Sequence, residues 1–292
     1  MNEILYSTES EIREPLKSVL NICGCIINEY EPITSLKMFE FFLTLMPRHK
    51  ISAISIHDSS VKSLEFLRGT NIKYIDMDSF NGDLSPLKGT PIETIYMYSF
   101  RGDLSPLKEA PIHAIYMDSF NGDLSPLKEA PIQDIRMHSF NGDLSPLKEA
   151  PIQIINMSAF TGDLSSLEGA PIQNIDMYSF KGDLSPLKGA PIQYIYMSAF
   201  NGDLSPLKGA PINTIYMDSF TGDLSPLGST YSGSGKVLSE GAPIHIIDMY
   251  SFNGDLSPLK GAPIHAIYMD SFKGDLSPLK GMNIQYTNLI TI

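Results

Sequence analysis

The sequence predicts an α/β solenoid: stacked repeats with a parallel sheet on one face and short 3₁₀ turns on the other. Three observations carry this. Phenylalanine returns at Phe80, Phe100, Phe120, Phe140, Phe160, Phe180, Phe200 and Phe220, then at Phe252 and Phe272, with a spacing of 20 residues inside each run. A fixed period of this length is the mark of a repeat architecture, and it overrides the usual division of a chain this long into two globular domains. Within a unit, Tyr194 to Ser198 alternates, with Ile195 and Met197 on one side and Tyr194, Tyr196 and Ser198 on the other; that is the period of a strand. Ser205-Pro206-Leu207-Lys208-Gly209 follows, with Ser read as an N-cap and Pro at the first helical position. The segment has room for one tight turn, which favours 3₁₀ over α-helix.

In chain order, residues 1–50 do not repeat. Ile12, Leu16, Val19, Leu20, Ile22, Ile26 and Ile27 suit an amphipathic helix, and the apolar stretch from Ile33 to Met46 suits a second. The open end of a solenoid exposes core and needs a cap of different sequence, so 1–50 is read as a helical N-terminal cap. Residues 51–292 form the solenoid, about 11 rungs in all. The first rung is divergent and one residue longer than the rest: Leu64-Glu65-Phe66-Leu67 aligns with Leu84-Ser85-Pro86-Leu87.

In a typical later unit Ile192, Ile195, Met197, Phe200, Leu204 and Leu207 form the apolar frame. Gly202 recurs in all ten copies, where the backbone either turns with positive φ or packs closely on its neighbour. Gly209 is replaced by Glu109, Glu129 and Glu149, and Pro206 by Ser166, so neither is obligatory. A 12-residue insertion lies within 228–240, entering after Leu227 on the back of the solenoid. A disordered, tolerated loop is the plain reading, and a binding loop is the functional one.

This frame, I-x-x-I-x-M-x-x-F-x-G-D-L-x-x-L, resembles the leucine-rich repeat. Asp203-Leu204-Ser205-Pro206-Leu207-Lys208-Gly209-Ala210-Pro211-Ile212 is similar to the D-L-S-P-L-K-G-x-P units of bacterial leucine-rich-repeat proteins. The resemblance covers residues 51–292 and implies a sheet on the concave face of the solenoid. It departs from the family in placing Phe where an asparagine ladder usually stands, and its unit is a residue shorter than the commoner forms. A pentapeptide-repeat β-helix also has 20-residue coils, but Gly202 would point inward and Leu204 falls off its five-residue grid.

Composition narrows the chemistry. The net charge of -12 argues against nucleic acid and anionic membrane as partners. Cys23 and Cys25 supply neither a disulfide framework nor a zinc site. With no basic leader, no long apolar run, no phosphate-binding loop, no dinucleotide fingerprint and no nucleophile elbow, the expectation is a cytoplasmic protein that is not an enzyme and holds no cofactor or metal. His245 and His265 are adjacent in one column and read as surface histidines rather than a chelate. The Asp83 column, which recurs to Asp275, reads as a cap on each turn rather than a calcium ladder, with the Lys88 column offsetting its charge.

What varies between copies is the outward side of the strands. Its columns hold Tyr74, Asp76, Asp78, Tyr96, Tyr98, Tyr116, Asp118, Arg136, His138, Asp176, Tyr178, Tyr194, Tyr196, Tyr216, Asp218, Asp248, Tyr250, Tyr268 and Asp270. Ten of the 14 tyrosines lie there, and tyrosine gives large, rigid contact area at low entropic cost. Drift on an exposed sheet is the plain alternative. The functional expectation is a protein- or peptide-binding scaffold, with a basic partner favoured by the Tyr/Asp mixture. The competing expectation is a structural, self-associating protein that uses its sheet edges. The sequence does not fix an oligomeric state.

Overall fold

Every unit folds the same way because the same six apolar residues must leave water together. In the unit from Ile192, all six are at most 2 % exposed. The computed structural model describes residues 53–55, 61–228, 230–231, 237–239 and 243–288; the proposed N-terminal cap over 1–50 lies outside them.

The strands are three residues long in most rungs: β1 (Ala53–Ser55), β2 (Tyr74–Asp76), β3 (Thr94–Tyr96), β4 (Ala114–Tyr116), β5 (Asp134–Arg136), β6 (Ile154–Asn156), β7 (Asn174–Asp176), β8 (Tyr194–Tyr196) and β9 (Thr214–Tyr216). Two short strands of the insertion follow, β10 (Thr230–Tyr231) and β11 (Val237–Ser239), then β12 (Ile246–Asp248), β13 (Ala266–Tyr268) and β14 (Tyr286–Thr287). In β2 to β9, β12 and β13 the central isoleucine points into the core, and the flanking residues point out.

The chain divides into two compact units, Met1–Ile132 with Arg136–Phe140, and Gln133–Ile135 with Asn141–Ile292. In the first, β1, β2, β3 and β4 pair in parallel in that order. In the second, β6 to β9 are followed by β12, β13 and β14, again all parallel. Ala53 pairs with Tyr74, 21 positions on, as the longer first rung requires. Thr214 pairs with Ile246, so the ladder passes the insertion without a break. The insertion itself carries an antiparallel pair, Thr230 to Tyr231 with Val237 to Ser239, which gives it more regular structure than a disordered loop.

Behind each strand Ser-Pro-Leu makes a single 3₁₀ turn, as at Ser205–Leu207. Ser165–Leu167 forms the same turn without proline. The capping differs from the expectation in register. Leu204 is the N-cap and makes no side-chain cap, while Ser205 is already the first turn residue. The cap comes from Asp203, whose Oδ1 accepts the Ser205 amide at 2.8 Å. Asp103 and Asp183 accept the following serine's hydroxyl as well. These hydroxyls, and then the amides, hold the carboxyls of the Asp83-type column below their ordinary range.

The two glycine positions serve different purposes. Gly209 has φ +80°, the left-handed region open to glycine, whereas a Cβ at Gly202 would sit 2.8 Å from Cζ of Phe200. The recurrent glycine of the Phe-x-Gly triplet is therefore a packing requirement: the ring lies across its Cα. One parallel strand per rung, with a 3₁₀ turn opposite, does not match the pentapeptide-repeat β-helix.

Neighbouring phenylalanine rings lie nearly parallel, 3° apart at Phe180–Phe200, with centroids 6.4 Å apart. Strands in a ladder stand only about 4.8 Å apart. The ring spacing is wider than the strand spacing, so neighbouring rings meet offset rather than face to face.

Candidate functional site

The outward face is built from the two strand residues flanking each central isoleucine and the residue after the core methionine. In the first unit the register sets Tyr96 beside Tyr116. Their rings stack at 4.2 Å and 8°. Tyr74 leans on Tyr96 at 5.5 Å, and Tyr98 meets it edge-on at 6.3 Å. The Met117 amide donates to the Arg136 carbonyl, which fixes the next rung in register. Arg136 then lays its guanidinium over Tyr116, with Cζ 5.0 Å from the ring centroid. Held between Tyr96 and Arg136, Tyr116 is only 7 % exposed.

Carboxylates surround this cluster. Burial, then Asp78 and Asp118, pushes the Tyr98 hydroxyl above its ordinary pKa. Asp118 also lies 3.5 Å from Nδ1 of His138.

The second unit repeats the central motif with different neighbours. Tyr196 and Tyr216 stack at 4.3 Å and 10°. Burial, and then the hydroxyl contact with Tyr216, raises the Tyr196 pKa. Here the rung beyond the stacked pair brings Asp248 into register with Tyr216. Its carboxyl is pushed up, first by burial and then by Asp218 and Asp270. Tyr178, Tyr194, Tyr196 and Tyr250 are 59 %, 39 %, 43 % and 54 % exposed, in a chain whose phenylalanines from Phe100 to Phe252 are buried. Asp176 precedes Tyr196 in the central column and Tyr268 follows Asp248.

The structure thus gathers Tyr74, Asp76, Asp78, Tyr96, Tyr98, Tyr116, Asp118, Arg136 and His138 on the outward face of the first unit. The remaining candidates lie on that of the second. Two features went unread in the sequence. One is the ring stacking, which arises where consecutive copies both place tyrosine in the central column. The other is an asparagine ladder beside the phenylalanines. Asn81, Asn201 and Asn253 each accept the backbone amide one rung ahead, at 2.7–2.8 Å. The recurrence of asparagine directly after the marker phenylalanine is its signal.

Other chemistry finds little support among the described residues. No group of three or more His, Cys, Asp or Glu is placed to hold a metal. Nδ1 of His245 is engaged by the Asn213 amide at 2.8 Å. No helix there is long and apolar enough to cross a membrane.

Parallel three-residue strands, one 3₁₀ turn per rung and an apolar ladder between them define the leucine-rich-repeat fold. Among solved structures, the functional domain of InlJ from Listeria monocytogenes, which includes a cysteine ladder, matches with a TM-score of 0.55 and 17 % identity. The match covers 82 % of this chain and 53 % of that one, so this chain spans about half the length of the InlJ domain. Internalin C2 from Listeria monocytogenes str. 4b F2365 aligns over 94 % of this chain and 91 % of its own, at 16 % identity and a TM-score of 0.34. The first likeness supports the fold; the second is too distant to add to it. No family model matches the chain, and the comparison with curated proteins finds no match.

Proposed function

We propose that this chain is a non-catalytic scaffold that binds a protein or peptide on the tyrosine- and aspartate-rich face of its sheet. The observation that carries the reading is where the copies differ. The frame of Ile, Met, Phe, Gly and Leu hardly changes over ten repeats, while the outward columns change at almost every rung. Among the described residues, those columns hold all four of the exposed large apolar side chains. Drift on an exposed sheet, helped by the strand preference of tyrosine, is the alternative; recognition surfaces, however, are rich in tyrosine. The carboxylates around the rings favour a basic partner through charge complementarity.

The test is capture of a protein partner by the wild type beside a variant with Tyr178, Tyr194, Tyr196 and Tyr250 changed to Ser. These side chains are exposed enough for the fold to survive, which circular dichroism checks. The expected result is loss of the partner from the variant. Identical capture contradicts the reading. Light scattering on the chain alone separates the competing edge-association reading, for which filaments growing with concentration are the expected result.

A further inference from the structure

The two stacked tyrosine pairs are the same structure with opposite neighbours. In the first unit, Tyr116 carries the chain's own Arg136 on the ring face turned away from Tyr96. In the second, Tyr216 holds the equivalent place, its partner Tyr196 stacked at nearly the same distance. The residue at the position of Arg136 is Asp248, and the Met217 amide donates to its carbonyl as the Met117 amide does to that of Arg136. The outward columns of the second unit contain no lysine or arginine.

We infer that Tyr216 and Asp248, with Asp218 beside them, form a seat for the guanidinium of an arginine in an extended, basic segment of a partner protein. This deepens the binding reading above and rests on it. The first unit shows that this fold presents a tyrosine pair at a height and tilt a guanidinium accepts. The second unit keeps the pair and exchanges the internal cation for carboxylates. Arginine suits the seat better than lysine, because its planar group stacks on the ring while its N–H fork reaches a carboxylate. Asp248 is a costly residue to leave beside Asp218 and Asp270, since burial and both neighbours raise its pKa. A bound cation relieves that cost, which is a physical reason for the carboxylate to stand there.

The probes are a synthetic Arg-Gly-Arg-Gly-Arg peptide and its lysine and citrulline analogues, titrated calorimetrically at low salt. The arginine peptide is expected to bind at one site per chain, with the citrulline peptide, which keeps the shape without the charge, weaker by about tenfold or more. Tyr216→Leu and Asp248→Asn are each expected to weaken the arginine peptide by about five- to tenfold. Arg136→Asp gives the first unit the arrangement of the second and is expected to raise the stoichiometry from one to two. Equal affinity for arginine and citrulline peptides overturns the proposal, as does unchanged binding in the folded Tyr216→Leu and Asp248→Asn variants. If these peptides fail while the four-tyrosine variant still loses its protein partner, the cation seat is wrong and the binding face stands. If that variant loses nothing, the face itself is wrong.

Discussion

Glu109, Glu129 and Glu149 stand where seven other copies, Gly69 to Gly281, carry glycine, and all three adopt positive φ. At Glu109 and Glu149 the angles are 69° and 75°, squarely in the left-handed region. A side chain there costs roughly 1–2 kcal/mol, and the greater freedom of an unfolded glycine takes back about half of that. Glu109→Gly and Glu149→Gly are therefore each expected to stabilise the chain by about 0.5–1 kcal/mol, read as a higher urea midpoint. Gly102→Ala should do the reverse. Its Cβ would stand 2.9 Å from Cζ of Phe100, a fully buried ring with nowhere to swing, and overpacking of this kind costs roughly 1–3 kcal/mol. The sequence shows that both glycine columns exist, but not that one is held by backbone angle and the other by a ring. That distinction depends on where the phenylalanine side chain lies. Asp248 tests a third kind of site. A carboxyl whose folded pKa is raised destabilises the fold above that pKa and has no effect below the ordinary value of 3.8, where both states are protonated. Asp248→Asn should thus raise the Tm at neutral pH by the equivalent of a few tenths of a kcal/mol. The gain should vanish towards pH 3, and at pH 7 it accompanies the predicted loss of arginine-peptide affinity.

Among the elements, the three-residue strands and the one-turn 3₁₀ segments were legible in the sequence, because period-2 alternation and Ser-Pro spacing act within a few residues. The capping register was not. Ser205 looks like an N-cap, yet the carboxylate of Asp203, two residues earlier, holds both its amide and its hydroxyl in the repeated pattern. The depressed pKa of this column carries a pH consequence. The contribution of these carboxylates is complete above the ordinary value of 3.8 and is lost as pH falls through the lowered folded values. Stability is expected to fall as pH drops below that value, and Asp→Asn changes at two or three caps should flatten the pH dependence there. The asparagine ladder was hidden for a different reason. Its bonds run from one rung to the next, as from Asn201 to the Thr221 amide, and a single repeat read alone offers no partner. Asn201→Ala should cost about 0.5–1 kcal/mol, detectable as faster amide exchange at Thr221.

For the whole molecule, the repeat made the architecture readable before any contact was known: each rung is too small to fold alone and is stabilised by its neighbours. The columns of the candidate site were legible from their alternation, while the pairing of rings and the place of Arg136 required the register. These levels support the proposed division of labour, in which the constant residues build the solenoid and the variable outward residues are the candidate contact surface. The measurement that tests this most directly is partner capture by a resurfaced chain, in which the outward Tyr and Asp of both units become Ser and Thr and the apolar frame is kept. The expected result is an unchanged circular dichroism spectrum, cooperative unfolding and no captured partner. A resurfaced chain that folds and still captures the same partner would place the function elsewhere on the molecule.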